Sequence, residues 1–230
     1  MISHSVDTAQ RPEPPRDCSV CERLSAFRTT NAQNHPEWFN GPVPSFGDDG
    51  ARVLIVGLAP GLQGANKTGR PFTGDYAGDL LYATLAKFGF SAGSYAGHAD
   101  DGLTLKKCMI TNAVRCVPPQ NKPTGEEERH CRPFLVGRIA AMPKLSVILA
   151  LGHLAHGSTL AALGYRKSAY KFGHCAMHRL DDRLTLFDSY HCSRYNTNTG
   201  RLTTKMFEDV FACISKHIAT RQYDKKGHAL

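Results

Sequence analysis

The chain opens with a polar stretch and settles, from about residue 50, into short apolar runs separated by longer amphipathic ones. Residues 52 to 57, ArgValLeuIleValGly, are β-branched and apolar and end in glycine. Such a run predicts a strand buried on both faces, as parallel sheets require. Similar runs at Cys108 to Val114, Ser146 to Leu151 and Leu184 to Phe187 predict three more strands. Helical patterns cover Asp75 to Phe88, Gly125 to Ala141, His153 to Leu163 and Arg201 to Thr220. Strand and helix therefore alternate, which favours an α/β fold with a largely parallel sheet covered on both faces. Ligands in such folds bind beyond the carboxyl ends of the strands. Three unusual segments fall there: GLAPG after the first strand, RCVPPQNKP after the second and SYHCSRYN after the last.

Length and composition set the frame for this pattern. Residues 1 to 17 are polar and carry Pro12, Pro14 and Pro15, so they read as a flexible tail. A loop-rich stretch from Asn31 to Asp49 precedes the first strong strand. The remainder, 18 to 230, is short enough for one domain. The hydrophobic fraction is 41%, and no apolar run approaches the roughly 20 residues needed to span a bilayer. The start, MISHSVDTAQ, has neither a basic n-region nor an apolar h-region, so the chain reads as cytoplasmic. Lys and Arg total 28 against 20 Asp and Glu, a formal charge of +8. That excess suits a polyanionic partner, because each phosphate neutralised releases a counterion.

Eight cysteines in a chain read as cytoplasmic point to ligands or buried thiols rather than to disulfides. Cys18 and Cys21 form a C-x-x-C pair, and Cys116 and Cys131 follow far downstream, fourteen residues apart. Four thiolates in two groups suit tetrahedral zinc or one cubane cluster equally well. Cys108, Cys175 and Cys213 lie in or near apolar segments and read as small buried hydrophobes. Cys192, beside His191, also admits a nucleophile.

GLQGANKT, residues 61 to 68, nearly matches a phosphate-binding loop, which makes a P-loop-like nucleotide hydrolase an alternative. Asn66 stands where the second glycine of that loop belongs, and a glycine is there for a backbone conformation other residues adopt poorly. LeuThrLeuPheAsp, ending at Asp188, passes for a magnesium-binding strand. This reading leaves the cysteines and the SYHCSRYN loop without a role.

Three longer segments together resemble one family. GLAPGLQGANKTGRPFTGD (57 to 75), NAVRCVPPQNKPT (112 to 124) and SYHCSRYNTNTGRLT (189 to 203) are similar, in order, to motifs of the family-five, or type b, uracil-DNA glycosylases. The resemblance runs from Cys18 to the final helix. It implies a three-layer α/β/α sandwich around a four-stranded parallel sheet. It also implies a [4Fe–4S] cluster on Cys18, Cys21, Cys116 and Cys131, and a monomer acting on double- or single-stranded DNA. The implied reaction is hydrolysis of the N-glycosidic bond of uracil and other deaminated or mismatched bases. A non-catalytic iron–sulfur DNA-binding module is the other alternative.

By the same resemblance, His191 donates to the uracil O2 as negative charge develops, and Asp75 activates water or stabilises the cationic sugar. An aspartate before an apolar helical pattern is ordinarily an N-cap, and Asp75 suits that role too. Asn121 helps to hold the water or the base. Phe72 is the platform on which the flipped base stacks, with a core phenylalanine as the ordinary alternative, and Gly57, Ala59 and Gly61 belong to the base pocket. Asn112 and Asn196 are candidates to read the uracil edge or a phosphate, with the satisfaction of backbone groups as the alternative for both. Some uracil-only relatives carry a tyrosine where Gly61 stands, so a glycine implies a broader range of bases. Arg194 and Tyr195 are candidates to fill the gap left by the flipped nucleotide. Cys192 departs from the family, in which proline normally follows the histidine; losing it is expected to loosen the loop.

Overall fold

The computed structural model describes residues 11–227, with side chains to residue 221. Four strands run parallel at the centre: β2 (Val53–Gly57), β5 (Cys108–Asn112), β6 (Val147–Leu151) and β8 (Thr185–Ser189). All four are buried along their whole length, as the uninterrupted apolar runs predict. Two short strands flank them: β1 (Phe46–Gly47) pairs antiparallel with β5, and β7 (Met177–Arg179) pairs antiparallel with β8. The sheet is thus six-stranded, in the order β1-β5-β2-β6-β8-β7, where a four-stranded one was expected. Strands of two and three residues carry no periodic signature and exist only through pairing. A separate hairpin joins β3 (Ser91–Ala92) to β4 (Thr104–Leu105).

Side chains on the strands alternate between two cores. Val53, Ile55, Ile110, Leu149 and Phe187 face one, and Leu54, Val56, Met109, Ile148 and Leu186 face the other. Each such buried side chain contributes roughly 1.5–3 kcal/mol. The first core is closed by α3 (Tyr76–Lys87) and α7 (Thr204–Gly227), through Leu81, Leu85, Phe207 and Phe211. The second is closed by α4 (Gly125–Ala140) and α5 (His153–Ala162), through Leu135 and Leu160. These are the three expected layers. From β2 the chain crosses to β5 on one side and returns to β6 on the other. That reversal of strand order opens a crevice at the strands' carboxyl ends.

Three α-helices escape the sequence pattern, among them the single turn α2 (Ala65–Thr68). α1 (Glu22–Asn34) is polar, and its buried residues are Leu24, Arg28 and Asn31. α6 (Arg194–Asn198) is a single turn capped by Ser193. α7 begins three residues after the expected Arg201 and runs past Thr220. Residues 1–10 of the expected tail lie outside the described residues. Residues 11–17 are tied down: Glu13 pairs with Arg115 at 2.6 Å and with Arg138 at 2.9 Å, and Pro12 O accepts from Arg115.

Candidate active site

The crevice holds a cleft of about 510 Å3 where the loops after β2, β5 and β8 meet. Ala59, Gly61, Phe72, Asp75, Asn112, Asn121, His191 and Arg194 all line it. Most of the residues expected in the site are therefore brought together from three separate segments. Leu58, Pro60, Gln63, Tyr76 and Ser193 also line it and were not anticipated. Their types carry no chemical signal in sequence.

Phe72 has a left-handed backbone, φ +52°, and its ring is buried at the edge of the first core while also lining the cleft. The ring lies 5.8 Å from the His191 imidazole, at 27°. Gly57 makes this possible, because a Cβ there would stand 2.6 Å from the Phe72 ring and collide with Asn112 Oδ1. Asn112 is buried, and its Oδ1 has no hydrogen-bond partner. A buried unpaired acceptor at the wall of a cleft is costly unless something fills it. The turn under Phe72 is held by Arg70, which binds Asp101 through two bonds of 2.7 Å and Thr73 Oγ1 at 2.8 Å.

Asp75 is the N-cap of α3, and its Oδ1 accepts from Gly78 N at 3.1 Å. Asp75 thus caps the helix and also lines the cleft. Burial raises its carboxyl above the ordinary 3.8. A Cβ at Gly61 would come within 3.2 Å of Asp75 Oδ2, and one at Gly64 would collide with it. Glycine at 61 thus seats the carboxylate as well as leaving space.

His191 is partly buried, and burial pushes its imidazole down to about 4. The ring is neutral at physiological pH and carries one N–H to donate. Its loop is fixed from two sides. Asn196 Nδ2 donates to His191 O at 2.8 Å, which places Asn196 on the loop backbone and not among the cleft's lining residues. Cys192 is fully buried and donates to Ala77 O. Burial also raises its thiol, so Cys192 is no nucleophile, and the loop is anchored where loosening was expected. Asn121 has φ +57°, and Arg194 lies 5.4 Å from the Tyr76 ring. Tyr195 is 72% exposed at the rim.

The four candidate ligands Cys18, Cys21, Cys116 and Cys131 line one pocket walled by Leu24, Val114 and Phe134. All four are free thiols, and Arg115 N donates to Cys131 Sγ at 3.3 Å. Arg23 clamps Glu127 with two bonds of 2.7 Å, tying α1 to α4 across the pocket. Ala59 packs against this cluster and also lines the cleft. The donor set fits a thiolate-bound metal group. Of the remaining thiols, Cys108 is buried as expected, whereas Cys175 and Cys213 are exposed, 3.9 Å apart.

The phosphate-loop segment is internally committed. Thr68 Oγ1 donates to the carbonyls of Gly64 and Thr73, and Asn66 is fully buried on Asn40. Lys67 lies near the Trp38 ring, and the helix it sits on, α2 (Ala65–Thr68), has one turn. Asp188 is bonded to two histidines. Thr68, Asn66 and Asp188 are thus engaged within the protein, which does not favour a nucleotide cradle.

Comparison with known proteins agrees with this geometry. The family model described as the Uracil DNA glycosylase superfamily matches residues 44–214. The chain is 45% identical to the type-5 uracil-DNA glycosylase of Thermus thermophilus, over 84% of this chain and 90% of that one. It is 38% identical to the type-5 uracil-DNA glycosylase of Pyrobaculum aerophilum, over 84% and 86%. The type-4 enzyme of Archaeoglobus fulgidus is 37% identical over 49% of each chain. With its sheet order, its cleft and its three motifs accounted for, the chain belongs to the uracil-DNA glycosylase superfamily.

Proposed function

We propose that the chain is a monofunctional DNA glycosylase that hydrolyses the N-glycosidic bond of uracil in DNA and leaves an abasic site. The observation that carries this reading is the meeting of Phe72, Asp75, Asn112 and His191 on one cleft at the switch point of the sheet. The base must leave the stack to enter such a cleft, at a cost of a few kcal/mol. The formal charge of +8 offsets that cost through phosphate binding.

The extruded uracil stacks on Phe72, and its imide N–H satisfies the unpaired Asn112 Oδ1. As the bond breaks, the sugar becomes oxocarbenium-like and the base takes up negative charge. The neutral His191 ring donates to O2 of the departing base. Asp75 supplies the negative charge that the sugar cation and the attacking water require, and Asn121 orients that water or the base. Gly57, Ala59 and Gly61 leave the wall without bulk, which suits a range of deaminated or mismatched bases. Tyr195 and Arg194 stand at the rim to fill the vacated stack.

We assign Cys18, Cys21, Cys116 and Cys131 to a [4Fe–4S] cluster. Four sulfurs on one zinc ion would lie about 3.7 Å apart, given Zn–S bonds of about 2.3 Å. Among the described residues, no three cysteine sulfurs lie within 4.8 Å of one another, which favours the larger group. When bound, the cluster supplies a brace joining the N-terminal segment, the loop after β5 and α4.

Incubation with a uracil-containing duplex, followed by alkali, tests the reading. Strand breaks at uracil are expected, and they should disappear with His191→Ala or Asp75→Ala. Binding to DNA without any base release would favour the non-catalytic module instead.

A further inference from the structure

His156, His178 and Asp188 meet where α5 covers β8 and the edge strand β7, at residues other than those of the thiol pocket, and no step of the proposed reaction uses them. Their nitrogen and oxygen atoms all lie within 4.8 Å of one another. Asp188 is on β8 and fully buried; His156 is on α5 and buried; His178 is on the edge strand β7 and partly exposed. His156 Nδ1 lies 2.8 Å from Asp188 Oδ1, and His178 Nε2 lies 3.2 Å from Asp188 Oδ2. His156 Nε2 lies 3.0 Å from the carbonyl oxygen of Tyr170.

We infer that this trio is a second metal site, separate from the cysteines, for a borderline divalent ion of the zinc class. Two imidazoles and one carboxylate are a donor set such ions prefer. The Tyr170 contact is the second piece of the argument. A carbonyl can only accept, so it fixes the proton of His156 on Nε2 and turns Nδ1 towards the carboxylate. A metal-bound histidine characteristically donates its other N–H in this way.

Bonds of about 2.0–2.2 Å to a tetrahedral ion would set the donors about 3.4 Å apart. The three donors already lie within 4.8 Å of one another, and the 2.8 Å separation of His156 Nδ1 from Asp188 Oδ1 would open by about 0.6 Å. Without an ion, the two short contacts are made through protons on His156 Nδ1 and His178 Nε2. An ion takes the place of both protons: the first leaves to solvent, and the second moves to His178 Nδ1 or leaves to solvent. The partly exposed His178 gives the ion an entry path and leaves a fourth position for water. Asp188 lies three residues before His191 in the chain, so an ion here would stiffen the root of that loop.

The test uses the full chain loaded with its iron cluster. The protein is stripped of loosely bound ions with a mild chelator and titrated with Co2+, then with Zn2+. About one equivalent of Co2+ should bind with ligand-field absorption of a nitrogen–oxygen site and no thiolate-to-cobalt charge-transfer band, and Zn2+ should displace it. His178→Gln, on the exposed edge, should abolish this uptake while leaving the iron content unchanged. Absence of uptake, uptake unchanged in His178→Gln, or a thiolate band marking the cysteines as the binding site would each overturn the assignment. Asp188→Asn is the second variant, read only if its melting curve shows it folded; retention of full uptake there would also overturn it.

Discussion

The thiol of Cys192 donates to the carbonyl oxygen of Ala77 across 3.4 Å, and Ala77 lies in the first turn of the helix that Asp75 caps. One weak bond thus fastens the imidazole-bearing loop to the carboxylate-bearing helix. A sulfhydryl donor of this kind contributes about 0.5–1 kcal/mol. Cys192→Ala is expected to lower the single-turnover rate about two- to fivefold with little change in substrate affinity. A rate equal to that of the parent protein would show that Asn196 alone holds the loop.

The pH dependence follows from the two environments. His191 acts as a neutral donor, and its imidazole sits at about 4 instead of the ordinary 6.5. Asp75 acts as an anion, and burial raises its carboxyl above 3.8. Activity should therefore hold as pH falls through 6.5 and be lost only below it, as Asp75 and His191 take up protons. An acid limb of kcat/KM centred near 6.5 would contradict this. Stability moves differently: between pH 6.5 and 4 the unfolded chain protonates His191 while the folded chain does not. His191 therefore weakens folding progressively across that window, which thermal melts of the parent and His191→Phe would resolve.

Replacing His191 by alanine removes one preorganised donor to the developing anion. Such donors are worth about 2.7–4 kcal/mol, or a 100- to 1000-fold loss in kcat. Substrate binding should change little, because the donor strengthens mainly as charge develops. A loss confined to KM would reassign His191 to holding the base in the ground state.

Much of this site could be read before any coordinates, and the reasons are physical. Val53 to Gly57 and its three parallel partners are apolar without interruption because both faces are covered. Asp75 was visible twice, as a cap and as an acid, since a helix start beside a glycine-rich loop serves both ends. Other features were invisible because they depend on partners distant in sequence. Phe46 and Gly47 pair only because β5 offers an open edge. Glu13 looks like tail, yet it is the counter-charge of the fully buried Arg115, more than a hundred residues away. Asn196 left two roles open, reading a base or satisfying the backbone, and nothing in its neighbours signals that the backbone group is His191 O.

Arg70 and Asp101 form a buried, two-pronged ion pair beneath the Phe72 turn. Asp101 also accepts from Ala96 N and Leu103 N, each at 3.0 Å. The Arg70 guanidinium lies within 5.1–5.8 Å of the Phe46, Tyr82 and Tyr95 rings. Asp101→Asn strands that cation in a site closed to water, at a cost of about 3–5 kcal/mol. Urea unfolding should register this, and Arg70→Lys should fail to preserve stability because an ammonium cannot make both bonds. A variant as stable as the parent protein would mean that solvent reaches the pair.

Gly57 provides the sharpest separation of site from fold. It ends β2, which is paired on both sides, so the strand cannot retreat from an added methyl group. A Cβ at this position would sit 2.6 Å from the Phe72 ring and against Asn112 Oδ1, and these two side chains must give way instead. Overpacking of this kind costs about 1–3 kcal/mol, which a domain with two full cores survives. Displacing the proposed stacking ring and the proposed base-reading amide by even 1 Å is expected to cost about 100-fold in rate. Gly57→Ala should therefore fold with a lowered melting temperature and lose most of its base release. Full activity in a folded Gly57→Ala protein would remove both Phe72 and Asn112 from the base pocket.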